Sequence, residues 1–138
     1  MYKTIVIPLS LDQGLAPRLM ELARLLKDDG GKLIAVHVLD QVPKFASYYM
    51  GDDAGSDKQN QILAAAKQGL VERIGAQQDA EAVVLTGHPG SSITDYAHKI
   101  GADCIIVGSH RPGLTDFFLG STAARIVRYS RCSVHVLR

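Results

Sequence analysis

Cysteine is scarce in this chain of 138 residues, with Cys104 and Cys132 the two present. So few thiols exclude a disulfide framework, and no Cys-x-x-Cys or Cys/His spacing suggests a metal site. An excess of either charge is also lacking. Fifteen basic residues face 14 acidic ones for a formal net charge of +1, which gives no case for nucleic acid or an acidic membrane surface as partner. Arg125, Arg128 and Arg131 do gather near the end, but three arginines on one helix and turn read as a solvated face. No apolar run could span a bilayer, and the opening residues, with one lysine and a short apolar stretch, do not make a signal peptide. A cytoplasmic protein is the expectation. Internal repeats, low-complexity stretches and linkers are missing as well, so residues 1–138 are expected to form one domain with a proper core.

What is present is an alternation of two patterns. Residues 4–9 are a β-branched run, followed by Leu15, Leu19, Leu22 and Leu26 at helical spacing up to a break at Asp28-Asp29-Gly30-Gly31. Residues 32–39 predict a second strand, and residues 57–74 a helix carrying Ile62, Ala65, Ala66, Leu70 and Ile74 on one side. Residues 82–85 predict the third strand, closed by Gly87-His88-Pro89-Gly90. A short helix follows with Ile93, Tyr96, Ala97 and Ile100, ending near Gly101. Residues 104–107, 122–129 and 133–137 complete the series as strand, helix and strand. Strict alternation predicts a parallel sheet with helices on both faces. Several strands are continuously apolar, as strands covered on both sides must be.

The expected fold is therefore α/β, a doubly wound five-stranded parallel sheet. With strands two and three on one side of strand one and strands four and five on the other, the order is 3-2-1-4-5. Ligands of such sheets bind at the carboxyl ends of the strands, where the order reverses. The loops meeting there are residues 8–14 and 108–121. The second is rich in the residues that an anion site uses. Val107-Gly108 ends a strand, and Gly120-Ser121-Thr122 opens a helix. Glycine admits a ligand close to the backbone, and free N–H groups at a helix start suit a phosphate. Gly-Ser-Thr before an apolar stretch also reads as an ordinary helix N-cap. Gly108-x4-Gly113-Leu114-Thr115 has the skeleton of a P-loop, but Leu114 stands where that motif needs lysine. No G-x-G-x-x-G follows the first strand. With no evident magnesium-binding acid and no nucleophile and base pair, binding is expected and efficient hydrolysis is not.

On these residues the chain resembles the universal stress protein family over essentially its whole length. The most specific likeness is Gly108-Ser109-His110-Arg111-Pro112 with Leu119-Gly120-Ser121 and the helix through Arg128, similar to the branch typified by universal stress proteins F and G. The resemblance implies an adenine nucleotide alpha hydrolase-like fold, and ATP, with Mg2+, held by a motif of the form G-x2-G-x9-G-[ST]. Its first glycine carries over to Gly108, its last to Gly120 and its hydroxyl to Ser121. The middle glycine falls on Arg111, whose guanidinium could contact phosphate in its place. Gly108 and Gly120 stand one residue closer than in the pattern. Ser10 occupies a position after Pro8 where the family often has aspartate. The nucleotide-binding set implied is Pro8, Leu9, Ser10, Val38, Val107, Gly108, His110, Arg111, Gly120, Ser121 and Thr122. Arg111 and His110 also read as solvated loop residues, His110 above all. Val38 matches the position that packs on adenine and reads equally as plain core.

His37 lies in an apolar strand and reads as a satisfied interior histidine. Asp40 is expected to cap or hydrogen-bond at the strand end. Residues 41–56 are long for a connection and would suit a lid over the base or a subunit interface. Cys104 and Cys132 precede strands four and five and should be neighbouring thiols. The closing strand would be an apolar sheet edge in need of a partner. The family dimerises commonly through that strand, so an isologous homodimer is expected, together with an unidentified protein partner. Three functions remain open: an ATP-binding stress-response module, a nucleotide-free dimer acting by protein contacts, and a weak ATPase.

Overall fold

The computed structural model describes residues 1–11, 14–40, 52–109 and 119–138, with the backbone alone for 52–56. Among these residues five strands, β1 (Tyr2–Pro8), β2 (Lys27–Leu39), β3 (Glu81–Thr86), β4 (Cys104–Gly108) and β5 (Ser133–Leu137), alternate with four helices. The helices are α1 (Ala16–Leu26), α2 (Asp52–Ile74), α3 (Pro89–Lys99) and α4 (Ser121–Tyr129). All strand pairs are parallel and their order is β3-β2-β1-β4-β5, as the alternation required.

Neighbouring side chains along the central strands point to opposite faces, and each face has its own core. Ile5, Ile7, Leu33, Ala35, Cys104 and Ile106 pack with Leu19, Met20 and Ala23 of α1 and Leu70 and Ile74 of α2. Val6, Ile34, Val36, Ile105 and Val107 pack with Ile93 and Ala97 of α3 and Ala123 and Ile126 of α4. Each fully buried isoleucine of this set contributes on the order of 2 kcal/mol through burial. Asp103 fastens β1 to β4 from below: its carboxylate accepts from the amides of Lys3 and Thr4 at 2.8 and 2.9 Å, and its own amide donates to the Thr4 carbonyl at 3.1 Å.

Several boundaries differ from the sequence expectation. Asp28-Asp29-Gly30-Gly31 does not separate a helix from a strand, because β2 already begins at Lys27. Between the pairs Tyr2↔Lys27 and Thr4↔Lys32, β2 advances further than β1, so the turn-forming residues are absorbed as a bulge. Gly30 takes a φ of +75° there, and a Cβ on Gly31 would stand 3.0 Å from the Lys3 carbonyl. Helix α2 starts at Asp52 and so takes up the end of the expected 41–56 loop. Residues 41–51 lie outside the described residues. The apolar stripe of α2 is shorter than its periodicity suggests. Ala66, Leu70 and Ile74 are buried, whereas Ile62 is 44% exposed and Ala65 is exposed. Helix α3 begins at Pro89, at a first-turn position where proline loses no helical hydrogen bond.

Candidate functional site

The crevice follows from how the central strands part. Strands β1 and β4 pair only at Ile5↔Cys104 and Val6↔Ile105, while their outer pairings continue. The Leu9 amide donates to the Val36 carbonyl at 2.8 Å beyond the end of β1, and the Ser109 amide to the Leu137 carbonyl at 2.9 Å beyond the end of β4. Each central strand is thus held to its outer neighbour where it has let go of the other. A cavity of about 580 Å³ opens between them, within the range of small-ligand sites.

Because every strand runs the same way, the helices that follow β1, β3 and β4 all start at this edge of the sheet. Leu15 and Ala16 from the start of α1, Pro89 from the start of α3, and Gly120, Ser121 and Thr122 from the start of α4 all line the cavity. At α4 the first intrahelical bond is Ala124 N–H to the Gly120 carbonyl at 2.8 Å. The amides of Ser121, Thr122 and Ala123 therefore have no acceptor within the helix. The Gly120 amide is differently placed, donating to the Ser109 carbonyl at 2.6 Å and tying the end of the β4–α4 connection to the strand. The sequence also allowed Gly-Ser-Thr as an ordinary side-chain cap. In the structure Gly120, which has no side chain to cap with, stands at the cap position, and Ser121 and Thr122 occupy the first turn.

Of the two glycines at the cavity, Gly108 is there for space. Gly120 has φ −56° and ψ 152°, open to any residue. A Cβ on Gly108 would stand 3.1 Å from the Leu15 Cδ1, so a larger residue would push into the α1 wall.

Pro8, Leu9, Ser10, Val38, Val107, Gly108, Gly120, Ser121 and Thr122 all line this one cavity. His110 and Arg111 lie outside the described residues. Sequence reasoning missed Leu15, Ala16, Leu19, Val36, Pro89 and Ile93 as wall residues, because each fits an apolar core position equally well. It also placed His37 in the interior. The ring is half-buried, lies along the cavity wall, and is satisfied by the Leu9 carbonyl, 3.0 Å from its Nδ1. A carbonyl can only accept, so Nδ1 carries a proton. Asp40, exposed at the end of β2, lines the cavity too. The β1–α1 turn is held from outside, by the Arg73 guanidinium of α2 donating to the Leu11 carbonyl at 2.5 Å.

The site is thus polarised. Amides and hydroxyls gather at the α4 end, His37 of β2 and Asp40 just beyond that strand stand at the β2 end, and apolar Val36, Val38 and Ile93 lie among them. Among the described residues, no group of three or more His, Cys, Asp or Glu could hold a metal ion, and no helix is long and apolar enough to cross a membrane.

Comparison with known proteins agrees with this fold. A model of the universal stress protein family matches residues 1–138. Universal stress protein A homolog 2 of Coxiella burnetii is 30% identical, over 99% of this chain and 95% of the relative. Universal stress protein G of Escherichia coli O157:H7 is 25% identical over the full length of both. Among solved structures, a hypothetical protein whose biochemical function was assigned from its structure superposes with a TM-score of 0.77 at 24% identity, covering 99% of this chain and 96% of that one. A universal stress protein in complex with cAMP (99% and 97% covered) and one from Archaeoglobus fulgidus in complex with dAMP (99% and 98%) each reach a TM-score of 0.61 at 21% identity.

Proposed function

This chain belongs to the universal stress protein family, and from that premise we propose that its cavity binds an adenine nucleotide, ATP in the first instance, and that occupancy governs protein contacts in a stress response. The observation that carries this reading is the convergence of the residues named above on one cavity at the parting of β1 and β4. Phosphate belongs at the α4 end, where the amides of Ser121 and Thr122 and their hydroxyls supply donors and the helix dipole adds favourable potential. The base belongs toward β2, against Val36 and Val38. Relatives solved with cAMP and dAMP support an adenine nucleotide as the class of ligand. Mg2+ would arrive on the phosphates, which with water supply most of its ligands in nucleotide sites.

The proposal includes a homodimer formed through β5, an edge strand of the sheet, with the signal read by a protein partner. Calorimetric titration with ATP and magnesium tests the site. Gly120→Val places a branched side chain in the phosphate end at a backbone conformation valine accepts. It should lower affinity at least about tenfold, roughly 1.4 kcal/mol, with an unchanged circular dichroism spectrum. Wild-type affinity in this variant would move the phosphates elsewhere. If neither protein binds nucleotide, the dimer acting without nucleotide becomes the better reading.

A further inference from the structure

We infer that Asp40 selects the sugar of the ligand, accepting hydrogen bonds from the ribose hydroxyls and so favouring ribonucleotides over 2′-deoxyribonucleotides. This deepens the nucleotide reading above and rests on it. Asp40 is the one acidic side chain among the described residues that line the cavity, which include no lysine or arginine. Its backbone is positioned from the next strand, since the Gly87 amide donates to the Leu39 carbonyl at 2.9 Å immediately before it. Leu39 itself pairs with Thr86 of β3.

The chemistry of a carboxylate narrows what it can face. When ionised it is acceptor-only, with two oxygens that together suit a pair of neighbouring donors. It repels phosphate, which the α4 end attracts, so within a bound nucleotide it suits an uncharged, donor-bearing part of the ligand. In a nucleotide laid with phosphate at Ser121 and Thr122 and base on Val36 and Val38, the vicinal hydroxyls of the sugar are such a part. An acid at the carboxyl end of the second strand meets ribose in the same way in doubly wound dinucleotide folds. Removing the 2′ hydroxyl leaves a charged acceptor short of a partner, which is how a hydrogen-bonding site rejects an analogue.

The test is calorimetric titration of the full-length protein, emptied of nucleotide, with ATP and with 2′-deoxy-ATP, for wild type and Asp40→Asn. In wild type the deoxy ligand should bind at least about tenfold more weakly, the low end for a hydrogen bond to a charged group that is exposed in the free site. In Asp40→Asn the preference for ATP should fall by about threefold or more, because a neutral amide oxygen accepts less strongly than a carboxylate. Asp40 is exposed, so the variant should melt as wild type does. Equal affinities in wild type, or a preference undiminished in Asp40→Asn, would overturn the inference while leaving the nucleotide site standing. Absence of binding by both ligands to wild type would remove the site and this role with it.

Discussion

Cys104 opens β4 within the core shared with α1, whereas Cys132 packs against the core on the other side of the sheet. Burial, then the charges of Cys132 and Asp103, pushes the Cys104 thiol up to about 11. Cys132 is half-buried, with its sulfur 3.3 Å from the Ser130 hydroxyl. A thiolate is the reactive form. Iodoacetamide at pH 8 should therefore modify Cys132 in the native protein and reach Cys104 only in denaturant, as peptide mass mapping will show. Equal labelling of both in the native state would contradict the placement of Cys104. An unfolded thiol ionises near 8.5, below the folded value, so the contribution of Cys104 to stability is intact below about pH 8.5 and is lost as pH rises toward 11. The thiols are thus neighbours in charge but not on one face, which a sequence separation of 28 residues could not reveal.

Strand β5 is an edge of the sheet, held to β4 by five residue pairs from Cys104↔Ser133 to Gly108↔Leu137. Its residues alternate, with Ser133 and His135 exposed and Val134 and Val136 half-buried. An apolar edge of this kind invites a second strand. Under the proposed dimerisation, Val136→Pro removes a backbone donor and stiffens the edge, so light scattering should give twice the chain mass for wild type and a shift toward monomer for the variant. A wild-type monomer at tens of micromolar would contradict the dimer. Elements of this size were legible because period decides face: α1, α3, α4, β1, β3, β4 and β5 stand where the pattern put them, give or take terminal residues, and β2 does so over residues 32–39. Gly30 and Gly31 carry a turn's composition, but hydrogen bonding to β1 keeps them in the strand as a bulge. Residues 52–56 carry a loop's composition yet extend α2, because propensity is a weak prior against the helix it joins. Ile62 keeps the period of α2 but stays 44% exposed among the described residues.

At the scale of the whole molecule, parallel topology gathers three helix starts and the ends of β1, β2 and β4 around one cavity. This much was legible in the order of elements, which fixed the switch point, and in the glycines and hydroxyls on either side of it. The α1 wall was not, since Leu15, Ala16 and Leu19 have the same helical spacing whether they face core or crevice. Nor was the parting of β1 and β4 after two residue pairs, which depends on the outer pairings outlasting the inner one. If this cavity is an adenine nucleotide site, denaturing freshly purified protein, identifying any released nucleotide by chromatography and mass, and titrating the emptied protein with ATP and magnesium should show one adenine nucleotide per chain, either released or bound on titration. A protein that releases no nucleotide and gives no heat of binding would contradict the proposed function.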